Sequence, residues 1–443
     1  MADRTLSAAQ VASMLVSTSC GIGFLLGTGE LAVHQGMAGC LYAVATSLGL
    51  LILAVCAPVL WRDGQSVWAQ FDRLYGPSVG RNVALLSLVW MTGVLAAQIR
   101  GGRAVLSLTG MPRISAVWLI IVLLVALSLV RLTWLSAGFA FCLLSSNLIL
   151  MHSLTRTGSL HIWLHAPAIF AEAIPHAATL HTGFVLLSVA VMVICGADYQ
   201  QFAIAARRPS TARTGALLAA AFVFAIGFLP ASAVIGAGGT EHGFNVTVPL
   251  QVVPVLLTHS LPGGTTRATR DIVVIVLVAT ALGSASSILR AMSDATATLG
   301  PRSTFRPIWS RALPVLLGTL VATRAQTLVD TMVDLNVVYI AAVGPLLVLS
   351  MLRVRVPDYA ANAAMATACA ISLGGYLIRW TAAAAPQEAW PLALAVVAAS
   401  AVALWYRPRV IRSSALPLRQ ERGCSAQRSS EGRSICSGKA DGG

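Results

Sequence analysis

The chain has 443 residues, 57% hydrophobic and only 10% charged. That composition excludes a soluble globular domain, and apolar runs of about 20 residues, long enough to cross a bilayer, recur throughout. A net charge of +14 would suggest nucleic acid in a soluble protein. Here the charge sits mostly in short loops and the tail and follows membrane topology, so no nucleic-acid partner is expected.

The first apolar stretch, Ala8–Ala32, has no basic leader and no small-residue cleavage site, so it is read as helix 1 and not as a signal peptide. Its middle is wrong for a continuous helix. Ser17, Thr18, Ser19, Cys20 and Gly21 stand in a row, followed by Gly23, Gly27, Thr28 and Gly29. Glycine weakens a helix, and small hydroxyl residues offer competing hydrogen bonds. In lipid such a break is tolerated only where the freed backbone lines a protected cavity. Transporters use such breaks to hold ions and solutes. Small residues for close helix packing are the alternative reading of the same stretch.

Helix 2 is expected at Met37–Trp61. An amphipathic connection, Gln65–Arg81, places Val67, Phe71, Leu74 and Tyr75 on one side. Helices 3 to 5 follow at Val83–Gly110, Ser115–Val130 and Trp134–Leu154. A second amphipathic connection, Leu160–Leu180, carries His161, His165, His176 and His181. His161 and His165 are one turn apart, which suits a metal, but no Cys or acid completes a site, and a wet interfacial face is expected instead. Helix 6, Gly183–Ala206, contains Cys195-Gly196-Ala197-Asp198 in its middle. It lies five spans after helix 1, and an odd offset inverts its direction. Two interrupted helices at matching places in inverted halves point to a binding site at the repeat interface. An ionisable residue at membrane depth, here Asp198, is functional by default.

Helix 7 is expected at Thr214–Gly238, helix 8 at Asp271–Leu299, helix 9 at Pro307–Thr323 and helix 10 at Leu328–Leu352. Helices 11 and 12 follow at Tyr359–Ile378 and Ala389–Tyr406. The fold class is therefore all-α: a polytopic membrane protein of about twelve spans. Residues 1–352 form the core, with repeats at about 8–154 and 183–352. Residues 353–406 add two peripheral helices, and 407–443 form a basic tail expected to be disordered. Most of the 30 basic residues fall in alternate segments, which predicts both termini in the cytoplasm of a bacterial-type plasma (inner) membrane. Six cysteines lie in apolar spans, Cys424 and Cys436 lie in the tail, and no spacing suggests a disulfide framework or zinc site.

Several stretches resemble the sodium:solute symporter family. They are FDRLYG (Phe71–Gly76), LAAQIRGGRAVLSLTGMP (Leu95–Pro112), DYQQFAIAARRPSTARTG (Asp198–Gly215) and ALGSASSILRAMSDA (Ala281–Ala295), in the family's order and at plausible spacing. The resemblance implies the five-plus-five inverted-repeat fold of the bacterial leucine transporter. It also implies a sodium ion between helices 1 and 8, held by the carbonyls of Ser17 and Cys20 and by Ser284, with Ser287 a turn further on. Gly283 stands where the family has a second hydroxyl, helix 5 carries no acid, and the family's usual extra N-terminal helix has no counterpart.

The expected function is secondary active transport of a small polar solute by alternating access, coupled to sodium in preference to protons. No cofactor and no metal other than sodium is expected, and the partners are the solute and the lipid bilayer, with the chain a monomer or weak oligomer. Expected solute-binding residues are Thr18, Gly21, Gly23, Gln98, Arg100, Gly196 and Asp198. Arg100 and Arg103 share one face of helix 3. Arg103 is expected to form a gate ion pair with Glu30, and Arg100 to face the cavity and pair with a solute carboxylate or, equally, with an internal partner. The competing classes are a membrane enzyme, for which no ordered nucleophile–base set is readable, a proton-coupled permease, and a transport-like sensor without flux.

Overall fold

The computed structural model describes residues 4–130, 132–177, 180–238, 249–261, 266–299, 306–323, 328–352, 354, 356–381 and 390–405. The tail expected to be disordered lies outside them. The break predicted in helix 1 separates α1 (Ala8–Ser19) from α2 (Ile22–Gln35), and α3 (Leu41–Asp63) follows a 3-10 turn at Gly36–Cys40. A short α4 (Val67–Tyr75) leads into α5 (Pro77–Leu106), then α6 (Arg113–Ser128) and α7 (Leu132–Arg156). Two connecting helices, α8 (Leu160–Leu164) and α9 (Ala166–Ala177), precede the second broken span. That span consists of α10 (Leu180–Cys195) and α11 (Ala197–Ile204), bent by 44° at Gly196.

Helix 7 is divided into α12 (Pro209–Gly227) and α13 (Leu229–Gly236). Pro230, in the first turn of α13, cannot donate to the preceding turn and its ring clashes there, so a new helix starts. Next comes α14 (Val252–Ser260), a helix not expected from the sequence because nine residues are too few for a span. The chain ends in α15 (Arg267–Leu299), α16 (Arg306–Ala322), α17 (Leu328–Met351), α18 (Asp358–Thr381) and α19 (Trp390–Trp405). Among the described residues four helical stretches are long and apolar enough to cross a membrane, Ile22–Asp63, Pro77–Thr109, Pro209–Gly236 and Arg267–Leu299, and the bent pair makes a fifth.

Two groups of helices surround the breaks. On one side α3 packs against both α10 and α12, and α1 packs on α12; on the other, α5 packs against α15, α16 and α17. Helices α18 and α19 pack on each other and on α17. Large apolar side chains such as Val55, Trp118, Val122, Phe141 and Ile275 point outward and are exposed, as expected where lipid and not water surrounds the chain. Arg290 on α15 reaches the end of α6 and donates to the carbonyls of Leu127 and Val130. Leu127 O also accepts from Val130 N–H (3.1 Å), and a cation beside these last carbonyls complements the negative end of the helix dipole.

At one end of the bundle the segment before α1 forms a strap. Leu6 N–H donates to Ala205 O (3.0 Å), and Arg207 N–H donates back to Leu6 O (3.0 Å). Arg4 lies over the Trp61 ring, 3.9 Å from its centroid, and donates to Trp61 O, while Trp61 Nε1 donates to Ala206 O. The start of α1 and the end of α11 are thereby held at the same end.

The amphipathic connection after α3 has a register different from the expected one. Val67, Trp68, Gln70, Phe71 and Tyr75 are buried, whereas Leu74 is 50% exposed. Val67, Phe71 and Tyr75 follow the i, i+4 seam of a helix, and Leu74 falls off it. Tyr75 Oη donates to Leu346 O on α17 (2.8 Å), which anchors this helix to the core. Phe71→Ala should cost about 3–5 kcal/mol, and Tyr75→Phe about 0.5–1.5 kcal/mol by removing that hydrogen bond. Leu74→Ala should stay within about 0.5 kcal/mol. Thermal unfolding of the purified variants in one detergent checks the order, and a Leu74 effect as large as that of Phe71 would reverse the register.

Candidate functional site

Both breaks open onto one buried cavity. Its walls come from α1 (Thr18, Ser19), α2 (Phe24), α3 (Tyr42), α5 (Trp90, Val94, Gln98), α10 (Val189, Met192, Val193), α11 (Asp198, Tyr199) and α17 (Met332, Asn336). Its volume is about 20 Å³, room for one water-sized body. The walls must therefore part to admit anything larger.

At the first break the chain leaves α1 at Cys20 and re-enters a helix at Ile22, with Gly21 extended between them. The freed backbone finds side-chain partners. Gln98 Oε1 on α5 accepts from Gly23 N–H (3.3 Å), and Ser284 Oγ on α15 donates to Thr18 O (3.4 Å). Thr18 Oγ1 lies 3.2 Å from Ser287 Oγ, which donates to Ser284 O in its own helix (2.8 Å). Gly21 is required by proximity: a Cβ there would lie 2.7 Å from both Cβ and Oγ of Ser284 and 2.8 Å from Gln98 Nε2. Gly23 sits almost as close to Ala97 and Gln98, at 3.2 Å.

At the second break Gly196 is extended and α11 begins at Ala197. Tyr339 Oη on α17 donates to Cys195 O (2.9 Å), and Gln200 Nε2 donates to Ile194 O (2.8 Å). Gly196 is again tight, since a Cβ would lie 2.6 Å from Asp198 Oδ1. Asp198 is 2% exposed, in the first turn of α11, where the helix N-terminus favours negative charge. Trp90 and Tyr339 pack ring against ring at 5.9 Å, and Phe24 and Tyr42 at 6.0 Å.

Thr18, Gln98 and Asp198 thus line one cavity, and Gly21, Gly23 and Gly196 shape its edges. The α1 contacts to Ser284 and Ser287 come from Thr18; Ser17 and Cys20 are buried in the same break. Arg100 is partly buried farther along α5 and is not part of the cavity wall. The three-residue spacing of Arg100 and Arg103 fixed a shared face but not which neighbour that face meets. No Glu30–Arg103 ion pair forms; Glu30 instead accepts from Leu328 N–H at 3.5 Å. His161 and His165 are turned onto their own helix, with Nδ1 3.2 Å from Gly158 O and 2.9 Å from His161 O respectively. The side chains of His176 and His181 lie outside the described residues. Among the described residues no cluster of His, Cys, Asp and Glu could hold a metal.

The sequence analysis missed Tyr42, Trp90, Tyr199 and Asn336. Asn336 carried a usable signal, because an amide at the head of the apolar run VVYIAAVG (337–344) falls under the rule applied to Asp198. The aromatic residues carried none, since rings in a membrane helix usually mean packing.

No protein-family model matches the chain, and no curated protein matches it in sequence. Solved structures do match. A Na+-coupled sialic acid symporter in a substrate-bound, outward-open state superposes with a TM-score of 0.72 at 10% identity, covering 91% of this chain and 90% of that one. Mhp1, a nucleobase-cation-symport-1 family transporter in a closed conformation with bromovinylhydantoin bound, gives 0.60 at 14% identity, covering 91% and 93%. MhsT in complex with L-phenylalanine gives 0.55 at 13%, covering 91% and 98%. The chain has the all-helical membrane fold of the leucine-transporter type.

The close approach at the first break is open to test. Gly21→Ala should lower stability by about 1–3 kcal/mol through overpacking against Ser284. Gly138→Ala, where a Cβ meets nothing within 4 Å, should leave it unchanged or raise it by up to about 1 kcal/mol. Equal thermal midpoints for the two variants would contradict the geometry.

Proposed function

We propose that the chain is a secondary active transporter that carries a small polar solute across the membrane by alternating access, coupled to a cation, sodium in preference to protons. The observation that carries this reading is the meeting of two interrupted helices at one closed, buried cavity. The fold supports it, because a symporter described as Na+-coupled and substrate-bound shares that fold. A cavity too small for a solute, walled by elements of both helix groups, is what an occluded stage of alternating access requires. The motif resemblance supports membership of the sodium:solute symporter family and an inverted repeat of residues 8–154 and 183–352. The arginine distribution supports both termini in the cytoplasm of a bacterial-type inner membrane.

For the coupling ion, the Thr18 carbonyl and the hydroxyls of Thr18, Ser284 and Ser287 converge between α1 and α15. Ser17 and Cys20 remain candidate carbonyl donors beside them. Cation affinity follows ligand number, and with Gly283 in place of a hydroxyl the set is short, so sodium binding should be weak. Sodium titrated against the purified protein should change tryptophan fluorescence, and Ser284→Ala should shift the midpoint to higher sodium while the thermal midpoint moves little. A response to pH alone, with none to sodium, would transfer the coupling role to a proton on Asp198. Uptake of a panel of labelled small polar solutes into proteoliposomes tests transport itself; saturable binding with no flux would make the protein a sensor.

Topology is tested separately. In a cysteine-free background, a cysteine at His165 should react with an impermeant maleimide in intact cells, and one at Ser413 only after lysis. Labelling of position 413 from outside would invert the assignment.

A further inference from the structure

Three residues that line the central cavity each carry a buried polar atom without a hydrogen-bonding partner: Oδ1 of Asp198, Oδ1 of Asn336 and Nε1 of Trp90. Their residues are 2%, 1% and 1% exposed. Buried polar atoms are nearly always satisfied, so three on one wall indicate a partner that arrives from elsewhere. The two oxygens accept, and the indole N–H donates. Among the described residues no Lys, Arg or His lines the cavity. A positive partner is what stabilises the ionised form of a buried carboxylate. Four of the fourteen lining residues are aromatic, Phe24, Tyr42, Trp90 and Tyr199, and aromatic faces attract cations, above all planar ones.

We propose that the solute is a small organic cation with a planar N–H-bearing head of the amidinium or guanidinium type. The head donates to Asp198 Oδ1 and Asn336 Oδ1 and lies against the aromatic wall, and an acceptor elsewhere on the molecule takes the Trp90 N–H. This rests on the cavity being the solute site of a transporter. It replaces the carboxylate expected from Arg100, which stands outside the cavity wall; an anion would meet Asp198 as a like charge.

Three probes of nearly equal shape separate charge from fit: 4-hydroxybenzamidine, 4-hydroxybenzamide and 4-hydroxybenzoate, titrated against the detergent-purified full chain by calorimetry. The amidine should bind saturably and at least about tenfold more tightly than the amide or the benzoate, a factor above the error of such titrations. Asp198→Asn should remove that preference while keeping amide binding, and Asn336→Asp should tighten the amidine. Should Asp198→Asn fail to elute as a single species, Asn336→Asp alone decides. Equal or tighter binding of the amide or benzoate, no saturable binding of any probe at millimolar concentration, or an Asn336→Asp variant that weakens the amidine would each overturn the proposal. Counterflow of the amidine in proteoliposomes tests the transporter reading apart from this one. Asp198-dependent binding without flux keeps the cation site and removes transport. Flux of other solutes with no amidine binding keeps transport and removes the cation site.

Discussion

A helix interrupted inside a bilayer frees backbone groups that water cannot reach, and side chains from neighbouring helices must take them up. Here the partners come from three different helices. Gln98 on α5 takes Gly23 N–H, Ser284 on α15 takes Thr18 O, and Tyr339 on α17 takes Cys195 O. Gln200 on α11 takes Ile194 O from across its own break. Each of these bonds joins a broken helix to its surroundings at the point where it is weakest. The breaks are therefore parts of the packing and not local defects, and the glycines that make them possible also let Ser284 and Gln98 approach closely enough to bond.

That constraint sorts the polar residues of the core into two sets. Gln98, Ser284 and Tyr339 are occupied with backbone groups. Asp198, Asn336 and Trp90 line the cavity, and each keeps a buried polar atom with no such duty. In a chain with only 10% charged residues, polar groups at membrane depth are costly and are placed where something requires them. The first set accounts for the shape of the cavity, and the second is left for whatever enters it, which is the basis of the proposed cation recognition.

The breaks were legible in the sequence because their cause is local: a run of small hydroxyl residues and glycine at Ser17–Gly21, and Gly196 beside an acid. The approximate placing of the apolar helices was legible because apolar length is a property of the chain alone, while their ends were not, as at α5, which begins at Pro77 and not Val83. What depends on a partner helix was not. The burial of Gln70 and exposure of Leu74 in α4 follow from which seam meets the core. The periodicity of Arg100 and Arg103 names a shared face but not its neighbour. Trp90 looks like any packing aromatic until the structure places it on a cavity wall with its N–H buried and unpartnered. Pro230 did carry a local signal for the division of helix 7, since a proline cannot sit inside a continuous helix without cost.

The terminal strap gives the two breaks a mechanical relation. Leu6 bonds the segment after α11, Trp61 binds the end of α3 to that same segment, and Arg4 binds the end of α3 to the segment before α1. The first half of one broken helix, the second half of the other and the end of α3 are thus joined at one end, while α5, α15 and α17 hold the breaks from the side through Gln98, Ser284 and Tyr339. A displacement that opens the cavity at the strapped end would have to carry α1 and α11 together, because the strap's hydrogen bonds are lost if either moves alone. The same displacement would strain the Ser284–Thr18 and Tyr339–Cys195 bonds, one at each break. The groups of the proposed ion site and those of the proposed solute site would then respond to a single motion, which is the physical content of coupling between two sites.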